Sequence, residues 1–360
     1  MTDLLHRLPP PEPDIESLLA VLARKVPRRL PLFELGIHDR VMEEIRGAGM
    51  VPLPGPGGEG DLRGAVADRV DMWRRLGYDY FLVRADSLFS LPHHAAAGGD
   101  GRGWMDEHRG AIRSLEECER YPWPGEENLS FHTLEAALEC LPPGMGLAAF
   151  SGGVLEWVTI LLGMERFMLG LYDEPELVKE VVDRVGRSIH HTFARFCREE
   201  RVAFIFLGDD FGYKNATLIH PDQLRELILP WLKRYADQAH AAGKPFVLHS
   251  CGCIEAVMPD LVEEVGIDAR HSFEDGVTPV EQVCREWGDR VAVLGGVDVD
   301  ILSRGPRERI TERTRQVLGA CAPGGGYAAG SGNSIPDYVP AENYDHFLEL
   351  VEEWRRRGSP

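Results

Sequence analysis

The feature that most constrains this chain is an alternation of short, nearly unbroken apolar runs with longer segments of helical period. The runs are PLFELG at 31–36, YDYFLVRA at 78–85, GLAAFS at 146–151 and AFIFLG at 203–208. They continue with PFVLH at 245–249, IDARH at 267–271, VAVLG at 291–295 and GYAAG at 326–330. Runs that stay apolar instead of alternating suit strands buried on both faces, as in parallel sheets. Between them, residues 173–198 place Leu177, Val178, Val181, Val182, Val185, Ile189, Phe193 and Phe196 on one stripe, with Asp173 as the expected N-cap and Pro175 in the first turn. Residues 222–242 repeat the pattern, with a kink expected at Pro230, and 306–321 and 341–356 behave likewise. Eight strands, each followed by a helix, predict an α/β fold of the (β/α)8 TIM-barrel type, forming one domain over residues 1–360. A helical N-terminal extension is expected over residues 1–30 and the barrel over 31–355. The Gly- and Pro-rich stretches within 40–75 and 87–140 predict long loops after strands 1 and 2. A doubly wound open sheet is the competing architecture.

Charge narrows the function. Lys and Arg number 39 against 58 Asp and Glu, a net charge of −19. That balance argues against nucleic acid and anionic membrane surfaces as partners, since both require a basic face. No stretch reaches the ~18 consecutive apolar residues of a membrane span. The opening MTDLLHRLPPPEPD lacks the apolar core of a secretory signal, so a cytoplasmic location is expected. Seven cysteines, an odd number in such a setting, read as reduced thiols.

In a barrel the chemistry lies at the carboxyl ends of the strands. Those ends carry His38 and Asp39, Asp86, Asp209-Asp210-Phe211, His249-Ser-Cys251-Gly-Cys253, His271 and Glu274-Asp275, Asp298 and Asp300, and Ser331-Gly-Asn333. Alternation along an extended segment puts 249, 251 and 253 on one side, and imidazole and thiolate are donor types that zinc selects. The competing reading makes His249 a hydrogen-bonded barrel histidine and Cys251 a small buried hydrophobe. Asp86, Asp209, Asp210, Glu274 and Asp298 are candidate catalytic carboxylates, with helix capping as the alternative for several of them. His38, Phe211, His271, Ser331 and Asn333 are candidate substrate contacts. The glycines around 330–332 suit either an anion cradle or a tight turn.

Taken together these residues resemble the uroporphyrinogen decarboxylase superfamily, which joins tetrapyrrole decarboxylases with zinc-dependent methyltransferases that move methyl groups between corrinoid proteins and thiols. The resemblance spans roughly 15–355. It rests on RRLPLF at 28–33, DMWRRLGYD at 71–79, GDDFG at 208–212, IHPDQ at 219–223 with LPW at 229–231, HSCG at 249–252, GGVD at 295–298 and IPDYVPAEN at 335–343. It implies a single barrel with a mouth-facing pocket. The decarboxylase branch carries arginines just after its first strand, where this chain reads LGIHDRVM with Arg40 alone; Asp86 falls near that branch's essential aspartate. The methyltransferase branch implies zinc held by His249, Cys251 and a cysteine after strand eight, where this chain has Ser331. Cys253, Glu274, Asp298 or another mouth carboxylate is then the candidate third ligand. The resemblance thus implies a methyltransferase with zinc, a small-molecule substrate and a corrinoid-protein partner, and leaves a homodimer open. The alternatives are a metal-free decarboxylase using Asp86 and a non-catalytic barrel that binds a small ligand or corrinoid.

Overall fold

The computed structural model describes residues 12–54, 60–86, 88–89 and 110–357. Seven strands form one parallel sheet whose spatial order follows the sequence: β1 (Tyr80–Val83), β2 (Gly146–Gly152), β3 (Val202–Gly208), β4 (Phe246–His249), β5 (Ala269–His271), β6 (Ala292–Leu294) and β7 (Tyr327–Ala328). Every neighbouring pair is parallel. Helices cover the outside, so both faces of the sheet are buried and the strands could stay apolar on both. Phe204, Phe206, Val247 and Val293 all lie in this wall and are buried.

The first of the eight runs departs from expectation. Residues 31–37 make isolated parallel bridges, Leu32 with Ala329 and Ile37 with Ile335, instead of a continuous strand. They occupy the eighth place in the barrel all the same. The Glu34 backbone N–H donates to the Tyr80 hydroxyl (2.9 Å), and that hydroxyl donates back to the Glu34 carbonyl. On the β1 side, a tyrosine side chain thus links the ring at this joint. Inside, Phe33 packs against Tyr80, Phe206 and His271 with ring centroids 5.3–5.4 Å apart. Contacts among side chains from the 31–37 segment, β1, β3 and β5 fill the interior, as in a packed barrel core.

Two local expectations need correction. Asp173 ends the helix Met164–Asp173, and Glu174 is the N-cap position of the next helix, Pro175–Cys197, although the expected apolar stripe is buried as read. Pro230 sits in the first turn of the helix Leu229–Ala241, and the π-helical turn Leu224–Ile228 before it absorbs the missing N–H. The expected loop after the first strand carries two helices, Asp39–Arg46 and Leu62–Leu76, and the Pro- and Gly-rich connection between them lies only partly among the described residues. The glycine-rich stretch at 95–103 lies outside the described residues. The helix Ile15–Leu22 supplies the N-terminal extension and packs against the start of β2, where a Cβ on Gly146 would meet Ile15 at 2.8 Å.

Candidate metal centre

The carboxyl ends of β3, β4 and β5 converge. His249, the last residue of β4, is 5% exposed, and Cys251 follows in the loop. Cys251 Sγ lies 3.3 Å from His249 Nε2. Asp210, two residues beyond β3, turns its carboxylate into the same place. Its Oδ1 accepts the Cys251 backbone N–H (2.9 Å) and lies 3.6 Å from His249 Nε2. The ligand atoms of Asp210, His249 and Cys251 all lie within 4.8 Å of one another. A tetrahedral zinc, with Zn–N and Zn–O near 2.0 Å and Zn–S near 2.3 Å, would hold N and S about 3.5 Å apart and N and O about 3.3 Å apart. The two measured separations from His249 Nε2 fit that geometry to within a few tenths of an ångström.

This set revises the ligand reading. Asp210, read as a catalytic carboxylate, instead lies with the His249 and Cys251 donors. Cys253 is not in the cluster, because Gly252 turns the chain in the left-handed region (φ 75°) and the Cys253 N–H donates to the Tyr213 carbonyl (2.7 Å). Glycine is required there: a Cβ on Gly252 would meet the Gly212 backbone at 2.4 Å. Glu274 is exposed, outside the ligand cluster, but close enough for its charge to raise the Cys251 pKa. Asp298 caps the helix Val299–Arg304, accepting from Asp300 N (2.7 Å), and also accepts from Asp275 N (2.9 Å).

The surroundings prepare the donors. Asn333 Nδ2 (3.2 Å) and Ser272 Oγ (3.6 Å) both donate to Cys251 Sγ. Burial, with Asp210 adding to it, pushes the free Cys251 thiol up to about 12, so the bare cysteine is no thiolate at neutral pH. A metal cation reverses that logic by deprotonating the thiol it binds. Burial holds His249 down to about 4, leaving the neutral imidazole a metal needs. His271, the last residue of β5, is fully buried and places its Nδ1 2.7 Å from His249 Nδ1.

Other predicted positions serve the frame. Asp209 is fully buried and accepts the Leu155 and Glu156 backbone N–H groups (3.1 and 2.9 Å), capping the helix Val154–Leu162 across the barrel mouth. Burial raises its pKa to about 8 against those hydrogen bonds, with Glu156 and Asp210 adding to the rise. Asp86 accepts from Ser130 Oγ (2.6 Å), His132 N (2.7 Å) and Thr133 N (3.0 Å), which hold its carboxyl below the ordinary range although burial opposes them. His38 caps the helix Asp39–Arg46 through Nδ1. Phe211 is buried, its N–H donating to Ser250 Oγ (3.0 Å).

Ser331 is buried and turned away from the cluster, toward Glu34. Its N–H donates to Glu34 Oε1 (2.7 Å) and its hydroxyl lies 2.5 Å from Oε2. Burial raises the fully enclosed Glu34 carboxyl to about 8. Sequence reasoning passed over Glu34. A lone charged residue inside an otherwise apolar run was the signal for it. Glu156, at the rim beside Asp210 and Arg84, was missed as well, and burial with the Asp210 charge raises its pKa.

The uroporphyrinogen decarboxylase (URO-D) family model matches residues 69–354. A uroporphyrinogen decarboxylase of Alkalilimnicola ehrlichii is 26% identical over 299 residues, 78% of this chain and 78% of its own. One from Chromohalobacter salexigens is 20% identical over 374 aligned positions, 94% of this chain and 97% of its own. Among solved structures, a methyltransferase from Methanosarcina mazei superposes with a TM-score of 0.69 at 16% identity, covering 95% of this chain and 99% of that one. A putative vitamin-B12 independent methionine synthase from Listeria monocytogenes gives 0.51 at 11% identity, covering 91% and 99%. At these identities the structural likenesses carry the fold.

Proposed function

The chain belongs to the uroporphyrinogen decarboxylase family, and from that footing we propose that it is a methyl-transferring member holding zinc through Asp210, His249 and Cys251. Its partners on this reading are a small thiol or methylated substrate and a corrinoid-carrying protein that docks over the barrel mouth. The observation that carries the reading is the donor set: a carboxylate, an imidazole and a thiol within 4.8 Å of one another, with both separations from His249 Nε2 near those of a tetrahedral zinc. Three protein ligands leave one open position, the pattern of catalytic zinc. Bound there, zinc would keep a substrate thiol ionised at neutral pH or polarise the heteroatom bearing a methyl group.

The chain's own groups account for the rest. The Cys251 N–H fixes the Asp210 carboxylate in place, and Asn333 and Ser272 steer donors onto the Cys251 sulfur. Asp210, Glu156 and Glu274 give the mouth a negative field that favours neutral or cationic substrates. That field opposes a tetrapyrrole bearing eight carboxylates, and Arg40, the arginine expected to meet such a substrate, pairs with Glu44 at 2.9 Å.

Decarboxylation of a porphyrinogen-like acid is the second reading, favoured by the names of the sequence relatives. Its expected catalytic aspartate, Asp86, already accepts three hydrogen bonds from the 130–133 segment. Elemental analysis of untagged protein, paired with assays of cobamide-dependent methyl transfer and of porphyrinogen decarboxylation, separates the two. Stoichiometric zinc with methyl transfer supports the first. A metal-free protein that decarboxylates the tetrapyrrole, with Cys251→Ala fully active, overturns it.

A further inference from the structure

We propose that His271 is a positioning residue that sets which ring nitrogen of His249 carries the proton, and so turns the His249 Nε2 lone pair toward the metal position. The inference rests on the zinc reading above and concerns a side chain that reaches no metal itself. His249 and His271 face each other Nδ1 to Nδ1 at 2.7 Å, a contact that requires one hydrogen between the two nitrogens. Both rings are buried, so water cannot serve as the alternative partner.

Two arrangements satisfy the contact. In one, His271 Nδ1–H donates to His249, which leaves His249 protonated on Nε2 and unable to ligate through it. In the other, His249 Nδ1–H donates to His271, and the bare Nε2 faces Cys251 and Asp210. The far side of His271 selects the second. Its Nε2 is sealed from solvent and makes no hydrogen bond, and the Ser331 backbone carbonyl lies on the same side of the ring, both flanking Gly295, where an added Cβ would stand 3.3 Å from that Nε2 and 2.1 Å from the Ser331 oxygen. A protonated His271 Nε2 meets an acceptor there, whereas a bare one would set lone pair against lone pair. Phe33 and Phe206 pack edge-on to the His271 ring at 5.3 and 6.3 Å between centroids, which holds it in this orientation. The polarity therefore runs from His249 through His271 toward the Ser331 backbone just beyond β7. Position 331, where the family's cysteine would stand, enters through its carbonyl.

Two measurements test this on the intact chain: zinc affinity by competition with a chromophoric chelator, and the 15N shifts of the His249 ring, which report its tautomer directly. His271→Leu removes the acceptor and should weaken zinc by about 10–100-fold, the usual effect of an outer hydrogen-bond partner. His271→Asn places an amide oxygen near the lost Nδ1 and should restore most of that affinity, which a merely structural role would not predict. The wild-type His249 should show protonated Nδ1 and bare Nε2. If wild-type protein binds zinc but a folded His271→Leu binds it equally well, or His249 in the zinc-free protein proves to be protonated on Nε2, the positioning role is wrong and the zinc reading stands. If the wild-type protein binds no zinc, the zinc reading itself has failed.

Discussion

Asp209 and Asp210 are adjacent carboxylates with opposite expected sensitivities. Asp209 is fully buried, and its two oxygens take the Leu155 and Glu156 N–H groups at 3.1 and 2.9 Å. Asp209→Ala leaves both donors without partners at the start of the helix Val154–Leu162. An orphaned buried donor costs about 1–3 kcal/mol and a lost cap about 0.5–2 kcal/mol, and since these overlap the expected loss is about 2–4 kcal/mol. With an unfolding entropy of about 2.1 cal/mol/K per residue, a chain of 360 residues should lose about 3–5 °C in Tm. Asp210→Asn is different. Its side chain is 55% exposed and the amide oxygen can still accept the Cys251 N–H, so stability should stay within about 0.5 kcal/mol of wild type. Zinc affinity, however, should fall by more than the 10–100-fold that outer partners are worth. Scanning calorimetry and chelator competition on both variants read the two effects. A normal Tm for Asp209→Ala, or unchanged zinc binding by Asp210→Asn, refutes the division of roles. Loss of activity in Asp209→Asn with Tm and zinc intact would make Asp209 catalytic.

Three further outcomes are expected. Stability of the metal-free protein should fall as pH rises between about 6.5 and 8; below about 6.5 the buried, uncharged His249 and His271, which the unfolded chain would protonate, oppose the trend. Over that range the folded chain keeps protons on Glu34 and Asp209, both raised to about 8, that the unfolded chain releases, at up to about 1.4 kcal/mol per pH unit for each group. Glu34→Gln, nearly isosteric, should remove its share of that slope in pH-dependent denaturant titrations; an unchanged slope would mean that Glu34 is ionised in the folded protein. Cys251→Ala should lose both zinc and activity, whereas Cys284→Ala, on the helix Val280–Trp287, should keep both by metal analysis and turnover. Zinc at one hundred times its Kd should add about 2.7 kcal/mol of stability, roughly 4 °C of Tm for this length of chain, and a chelator should reverse the gain.

The sequence showed the barrel because both-face burial leaves a direct mark, the continuous apolar run, and seven of the eight runs became strands in register. The first run did not pair as a ladder, since PLFELG carries Glu34 inside it and links to β1 through the Tyr80 hydroxyl. No periodicity encodes a joint of that kind. Within the centre, His249 and Cys251 were legible because alternation along an extended segment is local. The carboxylate that joins them was not. Whether Asp209 or Asp210 faces His249 depends on how the chain leaves β3, and whether Cys253 does depends on the left-handed turn at Gly252. Both are decided by close approach of the 210–213 and 251–253 backbones, which lie about forty positions apart in the sequence. Asp86 and Asp298 read as chemical because a cap made across a loop, or to a helix start, has the same residue type as a catalytic carboxylate.

The joint at residues 31–37 bears on how the molecule breathes. Elsewhere around the ring, neighbouring strands share backbone ladders, whereas here a tyrosine hydroxyl and single bridges hold the circuit. Sub-global opening should therefore begin at this seam, and its amides should exchange with deuterium ahead of those in β2 to β4. The seam also runs to the centre, from Glu34 to Ser331, on to Asn333 and so to the Cys251 sulfur. Filling the metal position from the mouth would then slow exchange at Phe33 and Glu34, deep in the barrel wall, making the seam a remote reporter of occupancy.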